Sequence, residues 1–198
     1  MSMPALALEE TVPEGCRKLI SRLDPAVEAG KGDHTAITSA VQKVLEECIA
    51  NGDIDLPAAL RRPVAERYAR HSIHWDPVRN YSVLAMVWAS GQGTPLHDHD
   101  GMWCVEGLLQ GELAITQYEL HERQDDRYRF SKDSTVSARV GSAGGLIPPF
   151  DYHTIENPND TTAITIHVYG GQLMRCNIFE PVANNWWQAE TRTLSCAS

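Results

Sequence analysis

The stretch that decides the fold covers residues 91–111 and reads GQGTPLHDHDGMWCVEGLLQG. At its centre two histidines, His97 and His99, are separated by one residue. On a β-strand, side chains two residues apart point to the same side, so both imidazoles would project from one face. Two nitrogens on one face can converge on a metal ion without bending the backbone. The pair therefore predicts a metal site. Because a bare His-x-His pair is also frequent by chance, the prediction depends on the residues around it.

The residues around the histidine pair have the spacing of the first cupin motif. Gly91 is followed by five residues, His97, one residue, His99, four residues, Cys104, six residues and Gly111. The stretch resembles that motif, with cysteine at the position that usually holds glutamate. The resemblance implies a cupin barrel, which is a jelly roll or double-stranded β-helix.

A second cupin motif would supply another histidine from a distant strand. Residues 148–157, PPFDYHTIEN, resemble it in part: they keep His153 and the asparagine four residues later, with Phe150 where the motif usually has glycine. With the first-motif glutamate absent, the implied ligand set is His97, His99 and His153. Three neutral nitrogens leave the charge of a divalent ion uncompensated, so its open positions favour an anionic ligand such as a thiolate. A site with several open positions also admits dioxygen.

Composition excludes several classes of function. A chain of 198 residues, 42% hydrophobic and 22% charged, is typical of one soluble globular domain. Its formal net charge of -9 argues against nucleic acid or an anionic membrane as a partner. No apolar run approaches the length of a membrane span, and the first eight residues carry no basic signal-peptide start. These features predict a cytoplasmic protein.

The cysteines support the same compartment. Their number is odd, they are scattered and none forms a CxxC pair: Cys16, Cys48, Cys104, Cys176 and Cys196. A disulfide framework or a zinc finger would need a paired pattern, so a reducing compartment is favoured.

Helical apolar spacing occurs twice before residue 65, at residues 15–23 and 35–50. In the second segment one stripe of residues predicts a helix packed on a core: Ile37, Val41, Val44, Leu45 and Cys48. Asp33 or Thr35 is positioned to cap that helix. Residues 56–62 predict a third, shorter helix that opens on a proline.

After residue 65 the chain changes to short alternating segments separated by turn residues. Six of them predict strands: residues 72–75, 81–90, 112–120, 127–131, 163–170 and 174–179. Many short strands at this spacing are typical of an all-β sandwich or barrel. We therefore expect one mainly β cupin domain over residues 1–198. It would comprise a helical region to about residue 64, a jelly-roll barrel over about residues 65–180 and an extension over residues 181–198.

The segment TIHVY, residues 165–169, completes a second resemblance. Together with the two histidine motifs it resembles the cysteine dioxygenase type I family of thiol dioxygenases, over roughly residues 60–180. The family's Ser-x-His-x-Tyr is matched by Thr165, His167 and Tyr169, with threonine in place of serine. The resemblance implies a mononuclear non-haem Fe(II) held by three histidines, which adds both atoms of O2 to a small thiol and gives a sulfinate. A strand would place the three side chains on one face, as a hydrogen-bond relay from Thr165 through His167 to Tyr169.

Cys104 falls where animal members of the family have the cysteine that forms a thioether with the motif tyrosine, here Tyr169. Bacterial members specific for 3-mercaptopropionate usually have glycine there, so this chain departs from them. We expect Cys104 on the strand that leads away from His99. The resemblance implies a Cys104–Tyr169 thioether, and the alternative is that Cys104 is a small core residue.

The segment RYAR, residues 67–70, lies where the family binds the substrate carboxylate. Arg70 matches the arginine of arginine-type members, and Tyr68 would line the pocket. A guanidinium makes bidentate contact with a carboxylate, which suits a thiol acid. The alternative is that Arg67 and Arg70 are solvated surface charges.

The prediction is an Fe(II)-dependent thiol dioxygenase acting on a small thiol carboxylate. Cysteine is favoured, and 3-mercaptopropionate and mercaptosuccinate remain open. The alternatives are a cupin that senses a ligand or a metal without turnover, and a zinc or manganese cupin isomerase, which the missing glutamate disfavours. We expect a monomer or a small homo-oligomer, in which Trp186 and Trp187 serve as a hydrophobic latch or a subunit contact.

Overall fold

In the computed structural model, which describes residues 12–197, two α-helices precede eleven β-strands. The helices are α1 (Arg17–Ala29) and α2 (His34–Ala50). The strands are β1 (Ala69–Asp76), β2 (Tyr81–Trp88), β3 (Leu96–His97), β4 (Cys104–Gln110), β5 (Glu112–Gln124), β6 (Arg127–Arg139), β7 (Ala143–Leu146), β8 (His153–Glu156), β9 (Ala163–Tyr169), β10 (Arg175–Pro181) and β11 (Trp187–Thr193). Short 3₁₀ helices cover Glu14–Cys16, Ala58–Arg61 and Ala183–Asn185. Within the described range, no helix has the length and apolar character needed to span a membrane.

Helix α2 forms for the reasons its sequence predicts. The Asp33 carboxylate accepts hydrogen bonds from the backbone amides of Thr35 and Ala36, two groups that have no partner inside the helix. The predicted apolar stripe is buried along its whole length: Ile37, Val41, Val44, Leu45 and Cys48. The helix therefore packs one face on the core.

The other two helical predictions need correction in length or type. Helix α1 ends at Ala29, six residues beyond the predicted end at residue 23. The third predicted helix is a 3₁₀ helix over Ala58–Arg61. Pro57 and Pro63 bracket this segment, and a proline cannot donate the backbone hydrogen bond that would continue an α-helix, so only a short turn forms.

The strands form two facing sheets, which is the predicted jelly roll. One sheet has the order β1-β2-β9-β4-β7, and the other closes on itself in the order β10-β11-β6-β5-β8-β3. All pairings between these strands are antiparallel. The double-stranded β-helix expected from the cupin resemblance is confirmed.

The first sheet is covered on both faces. Alternate residues of β2 belong to different clusters: Val83, Ala85 and Val87 pack with the helices, whereas Leu84, Met86 and Trp88 face the barrel interior. Both faces of β2 are thus removed from water, which explains why this strand reads as a continuous apolar run. The same alternation on β4 and β9 points Cys104 and Tyr169 into the barrel.

The barrel does not end near residue 180, where we expected the C-terminal extension to begin. Strand β11 pairs with β10 and with β6, so the segment that we expected to be an extension contributes a barrel strand. Trp187 packs edge-on against Tyr118 and Phe130, and the guanidinium groups of two arginines lie over the Trp186 ring. Both tryptophans therefore fasten β11 to its own barrel, as a hydrophobic latch does.

Gly170, directly after β9, is a test of this packing. A Cβ atom at this position would overlap the indole ring of Trp103, which is itself buried. We expect Gly170→Ala to lower the free energy of unfolding by about 1–3 kcal/mol, the usual cost of overpacking a core. The measurement is urea denaturation followed by tryptophan fluorescence.

Gly144→Ala is the matched control for that variant. Gly144 lies in β7, and a Cβ there would meet no atom within 4 Å. Its free energy of unfolding should stay within about 0.5 kcal/mol of the unsubstituted protein. Equal stabilities for the two variants would show that the Gly170–Trp103 contact is not tightly packed.

Candidate metal and substrate site

Three histidines from two parts of the chain converge inside the barrel. His97 ends β3 and pairs across the sheet with His153, the first residue of β8, while His99 lies in the loop that follows β3. Their ring centroids are 4.5–5.2 Å apart, and one nitrogen of each lies within 4.8 Å of the others. The three predicted ligands are therefore together, although β3 is too short to carry both histidines of the pair.

Asp98 keeps the loop after β3 in place. Its carboxylate accepts hydrogen bonds from the backbone and side-chain nitrogens of Asn177, both at 2.8 Å. The Asp98 amide in turn donates to the Asn177 carbonyl. These hydrogen bonds hold the Asp98 side chain against β10. They keep the loop in a fixed position, so that His99 can face the same site as His97 although it lies beyond the end of β3.

The hydrogen bonds of the three rings leave the same nitrogen free. Nδ1 of His97 bonds to the Pro95 carbonyl, Nδ1 of His153 to the Asp151 carbonyl, and Nδ1 of His99 to the Asp151 carboxylate, at 3.1–3.2 Å. These oxygens only accept, so each Nδ1 carries the hydrogen and each neutral ring keeps a lone pair on Nε2. Nε2 of His99 and Nε2 of His153 are buried without a hydrogen-bond partner. A divalent metal ion fits this donor set because it supplies the partner that they lack.

Asp151, which our sequence reasoning missed, orients two of the three rings. It is buried, and its carboxylate also accepts from the His99 backbone amide at 3.0 Å. Its position two residues before His153 was the available signal, although only its backbone carbonyl contacts that ligand and its side chain reaches His99.

Burial and neighbouring charges shift the pKa values of the three imidazoles in different directions. Burial, with the charge of neighbouring imidazoles, lowers the pKa of His97 and that of His99. Burial acts in the same direction on His153, but the nearby Glu106 carboxylate raises its pKa above the ordinary value. His97 and His99 therefore stay neutral near pH 7, as metal ligands must be.

The Thr165–His167–Tyr169 contacts exist as predicted from β9. The Trp88 indole donates to Oγ1 of Thr165 at 2.9 Å, and Oγ1 is 2.7 Å from Nε2 of His167. A threonine hydroxyl can accept two hydrogen bonds and donate one, so it accepts from the indole and keeps its own hydrogen available for Nε2 of His167. Nδ1 of His167 lies 3.1 Å from the Tyr169 hydroxyl. The geometry thus suits a relay from Thr165 through His167 to Tyr169, and its catalytic role stays a prediction.

Cys104 and Glu106 point into the barrel from β4. Cys104 is fully buried and pairs directly with Tyr169 on β9, while Glu106 pairs with His167. Burial, followed by the charge of Glu106, raises the pKa of the Cys104 thiol well above its usual range.

Glu106 corrects an argument made from the sequence. Its Oε1 lies 3.4 Å from Nε2 of His153 and 3.2 Å from Nδ1 of His167. Burial alone would raise the pKa of Glu106, but the two imidazoles hold it well below its usual range. The motif position itself holds Cys104, as the sequence shows, but a carboxylate from two residues further along β4 lies beside the histidines.

The side chain of Arg70 is buried, whereas that of Arg67 is exposed. Arg70 is 5% exposed; its Nη2 donates to the Leu173 carbonyl at 2.9 Å, and its Nε is buried without a partner. Within residues 12–197 no acidic side chain forms an ion pair with it. Arg67 is exposed and donates to the Ser195 hydroxyl. The alternative of a solvated surface charge therefore applies to Arg67 only. Arg70 is a buried cation that has no acidic partner among the described residues.

Two adjoining spaces connect Arg70 to His97. An inner cavity of about 20 Å³ is lined by Arg70, His97, His167 and Tyr169, among others. An outer cleft of about 420 Å³ shares several of its walls: Tyr68, Arg70, Thr94, His97, Cys176 and Leu194. Tyr68 stacks on Trp88 with ring centroids 4.6 Å apart. A small anion entering by the cleft would meet Arg70 and His97 together.

Comparison with known proteins gives matches to the barrel region. The family model described as cysteine dioxygenase type I matches residues 63–181. The cysteine dioxygenase type 1 of Rattus norvegicus is 25% identical over 115 residues, covering 58% of this chain and 56% of the relative. The Danio rerio protein of that name is 25% identical over 120 residues. A solved double-stranded β-helix protein from Klebsiella pneumoniae has a TM-score of 0.48 at 15% identity, covering 69% of this chain and 96% of that chain. The chain spans about half the length of the curated relatives that it matches.

Proposed function

The chain belongs to the cysteine dioxygenase type I family, and on that basis we propose that it is an Fe(II)-dependent thiol dioxygenase. Its substrate would be a small thiol carboxylate and its product the sulfinate, R–SH + O2 → R–SO2H. One observation carries the proposal: the Arg70 guanidinium, whose Nε has no hydrogen-bond partner, lines the same cavity as His97, one of the three convergent histidines. That pairing offers one anion site for a carboxylate and one metal site for a thiolate.

The protein groups in this proposal bind and orient the substrate. His97, His99 and His153 would hold iron, which supplies the redox chemistry that lets dioxygen react with a thiolate. Arg70 would bind the carboxylate through Nε, the guanidinium nitrogen that has no partner among the described residues. Tyr169 would donate its hydroxyl hydrogen to the substrate or to oxygen, held in position by His167 and Thr165.

Cysteine is the substrate that we favour among thiol carboxylates. Arg70 supports it because arginine, unlike glutamine, offers a full charge to the carboxylate. Cys104 supports it because 3-mercaptopropionate-specific bacterial relatives have glycine there. Mercaptosuccinate stays possible because the outer cleft contains two more arginines, Arg67 and Arg192, near which a second carboxylate would lie.

A zinc or manganese cupin isomerase is the second candidate. Glu106 is the observation that favours it, since such sites commonly include a carboxylate beside the histidines and this chain has one there. A cupin that senses a ligand or a metal without turnover is the third possibility raised by the sequence.

Oxygen uptake by iron-loaded protein across a panel of thiols separates these functions. We expect uptake of one O2 per thiol with cysteine, slower uptake with the uncharged 2-mercaptoethanol, and a sulfinate as the product. 3-Mercaptopropionate and mercaptosuccinate complete the panel and rank the acids. Absence of uptake with every thiol would contradict the dioxygenase proposal and leave the isomerase and the sensor.

We infer a cytoplasmic location from the thiols. Within residues 12–197 all five cysteines are free, and four of them are buried. Free thiols persist in reducing compartments. The small-molecule partners in this proposal are a thiol and O2, nucleic acid and membrane are not expected, and the assembly would be a monomer or a small homo-oligomer.

The Cys104–Tyr169 thioether is a prediction that turnover should reveal. The two residues face each other across β4 and β9, and such cross-strand side chains have Cβ atoms about 4.5–5.5 Å apart. A bond between Sγ and the ring carbon beside the phenol oxygen forms with loss of two hydrogens, which dioxygen accepts. We expect the intact mass to fall by two hydrogens in a fraction of the protein that grows with exposure to thiol substrate and air.

Peptide mapping provides the test of that bond. The fragments containing Cys104 and Tyr169 should stay joined after reduction, and the mass change should be absent from Cys104→Ala and from Tyr169→Phe. Two separate peptides after prolonged turnover would assign Cys104 to core packing alone.

A further inference from the structure

The barrel contains a further cavity that the proposed mechanism does not use. It has a volume of about 280 Å³, and among the described residues it shares no lining residue with the outer cleft. Its walls come from both sheets: β4, β7 and β9 of the first, and β5, β6 and β8 of the second. It is called the apolar cavity below, for the reason given next.

Aliphatic side chains form most of the walls of the apolar cavity. Six of them belong to one core cluster: Leu108, Leu113, Ile115, Ala138, Leu146 and Ile155. A cavity lined in this way holds water poorly, because a water molecule needs polar partners, and it accepts apolar molecules such as xenon. The chemistry of the walls therefore favours a small uncharged ligand.

Gly144 keeps part of this space open. It pairs with Glu106 across β7 and β4, so a side chain at this position would point into the barrel as Glu106 does. A Cβ atom at Gly144 would meet no atom within 4 Å. Its φ is not among the positive values of the chain, so the backbone conformation does not require glycine. The missing side chain is thus a property of the cavity.

The apolar cavity extends from solvent to the candidate site. At its outer end Val136, on β6, is 54% exposed, and Gly144 is exposed as well. At its inner end Glu106 and Ile155 are buried. Both of these also line the inner cavity that contains His97. The two spaces therefore adjoin at Glu106 and Ile155.

The two approaches to the site differ in charge. The outer cleft contains three arginines and one glutamate: Arg67, Arg70, Arg192 and Glu66. Its net positive charge attracts an anionic thiol carboxylate. The described residues that line the apolar cavity include no lysine or arginine, and their one charged side chain is Glu106. A carboxylate at the inner end of an apolar space disfavours an anion and leaves an uncharged molecule unaffected.

The proposed reaction requires two substrates in the site together. A thiol carboxylate held by Arg70 beside His97 would fill the inner cavity, whose volume is only about 20 Å³. This space adjoins the outer cleft, so the bound thiol would close the site from that side. Dioxygen is small, uncharged and apolar, which are the properties that the walls of the apolar cavity favour.

We propose that the apolar cavity is the entry route for O2, while the thiol enters by the outer cleft. Each substrate would then use the approach that matches its charge, and a bound thiol would not exclude O2. This inference rests on the proposed function, because O2 is a substrate only if the protein oxidises a thiol.

Xenon binding tests the cavity without metal, thiol or turnover. In metal-free full-length protein under xenon pressure, we expect the methyl NMR resonances of Leu113 and Ile155 to shift, because both line the apolar cavity. The methyl resonances of Val83, which packs towards the helices, should not shift. Gly144→Phe should abolish the shifts, since its ring would fill the space. Absence of shifts in the unsubstituted protein would overturn the inference.

Oxygen kinetics test the route itself. With iron-loaded protein and saturating cysteine, Gly144→Phe should lower kcat/KM for O2 at least about tenfold, which corresponds to about 1.4 kcal/mol on the barrier to O2 capture. The KM for cysteine should be unchanged, because the outer cleft is not altered. Thr116→Phe is the matched control. Thr116 lies between the lining residues Ile115 and Gln117 on β5, so its side chain points to the opposite face, and both kinetic parameters should stay unchanged.

The remaining outcomes are also decisive. Normal kcat/KM for O2 in Gly144→Phe would overturn the route and leave the dioxygenase proposal standing, and equal losses for O2 and cysteine would show general damage and overturn it too. Absence of oxygen uptake by the unsubstituted protein with every thiol would overturn the proposed function and the route with it. If circular dichroism shows that Gly144→Phe is unfolded, Ala138→Phe replaces it, because Ala138 lines the same cavity from the facing sheet. The same results are expected of that variant.

Discussion

Replacing His153 with alanine is expected to lower iron affinity by more than about a hundredfold and to abolish oxygen uptake. The ring supplies one of the three nitrogens that would bind the ion. Its Nδ1 is hydrogen-bonded to the Asp151 carbonyl, which leaves Nε2 free for the metal. Loss of a group that only orients a ligand already costs about ten- to a hundredfold in metal affinity, so loss of a ligand should cost more. The measurement is the iron content of protein equilibrated with a competing chelator, together with oxygen uptake.

His121→Ala is the control for that variant. His121 is an exposed histidine of β5 that contacts Ser131, far from the barrel interior. Its iron content and oxygen uptake should match the unsubstituted protein, and circular dichroism should show that both variants are folded. Full iron occupancy in folded His153→Ala would remove His153 from the ligand set, and the same comparison applies to His97 and His99.

Replacing Arg70 with alanine should raise the KM for cysteine about ten- to a hundredfold. A charge-assisted hydrogen bond contributes about 1.5–3 kcal/mol, and each 1.4 kcal/mol is a factor of ten in apparent affinity. Arg70 is suited to this interaction because its Nε has no partner among the described residues, so a substrate carboxylate would complete its hydrogen bonding. The measurement is steady-state oxygen uptake against cysteine concentration.

Two controls distinguish loss of carboxylate recognition from damage to the fold: an uncharged thiol substrate and substitution of a neighbouring arginine. The KM for 2-mercaptoethanol should change little in Arg70→Ala, because that thiol has no carboxylate to lose. Arg67→Ala removes an exposed guanidinium three residues away, one that contacts Ser195, and its KM for cysteine should rise by less than about threefold, as for a surface charge. An equal rise for both thiols in Arg70→Ala would mean that Arg70 supports the structure and does not read the carboxylate.

The three histidines could be predicted because their spacing is local. The first motif places two of them two residues apart, and the second gives His153 its own recognisable context. The β2 and β9 strands could be predicted for a similar reason, since runs of apolar residues between turns are visible within a short window. Local patterns were therefore sufficient wherever one segment carries the whole signal.

Strand β11 could not be predicted because its stability comes from its partners. Its residues are largely polar and exposed, and the strand forms by pairing with β10 and β6 and by the packing of Trp187. Strand β7 is similar, since the sequence AGGL lacks any strand preference. Pairing with distant segments decides both, and no short window of sequence contains that information.

Glu106 shows a different kind of failure. The sequence argument considered only the motif position, where Cys104 replaces the usual glutamate, and did not consider the acid two residues further along. The signal was available, because a residue two positions further along a strand lies on the same face. Asp151 was missed for a related reason. Its carboxylate accepts from His99 and its backbone carbonyl accepts from His153, and the sequence does not show where either group points.

Asp151 also bears on when the metal site acquires its order. It holds the rings of His99 and His153, which come from distant parts of the chain, through hydrogen bonds that involve only protein atoms. The conformational entropy of those two side chains is therefore lost during folding, and metal uptake does not have to restrict them again. His97 differs, because its ring is held only by the carbonyl of nearby Pro95 and borders the outer cleft. The rings of His99 and His153 are thus held in place by Asp151. The ring of His97 is the one that can move as an ion enters or leaves.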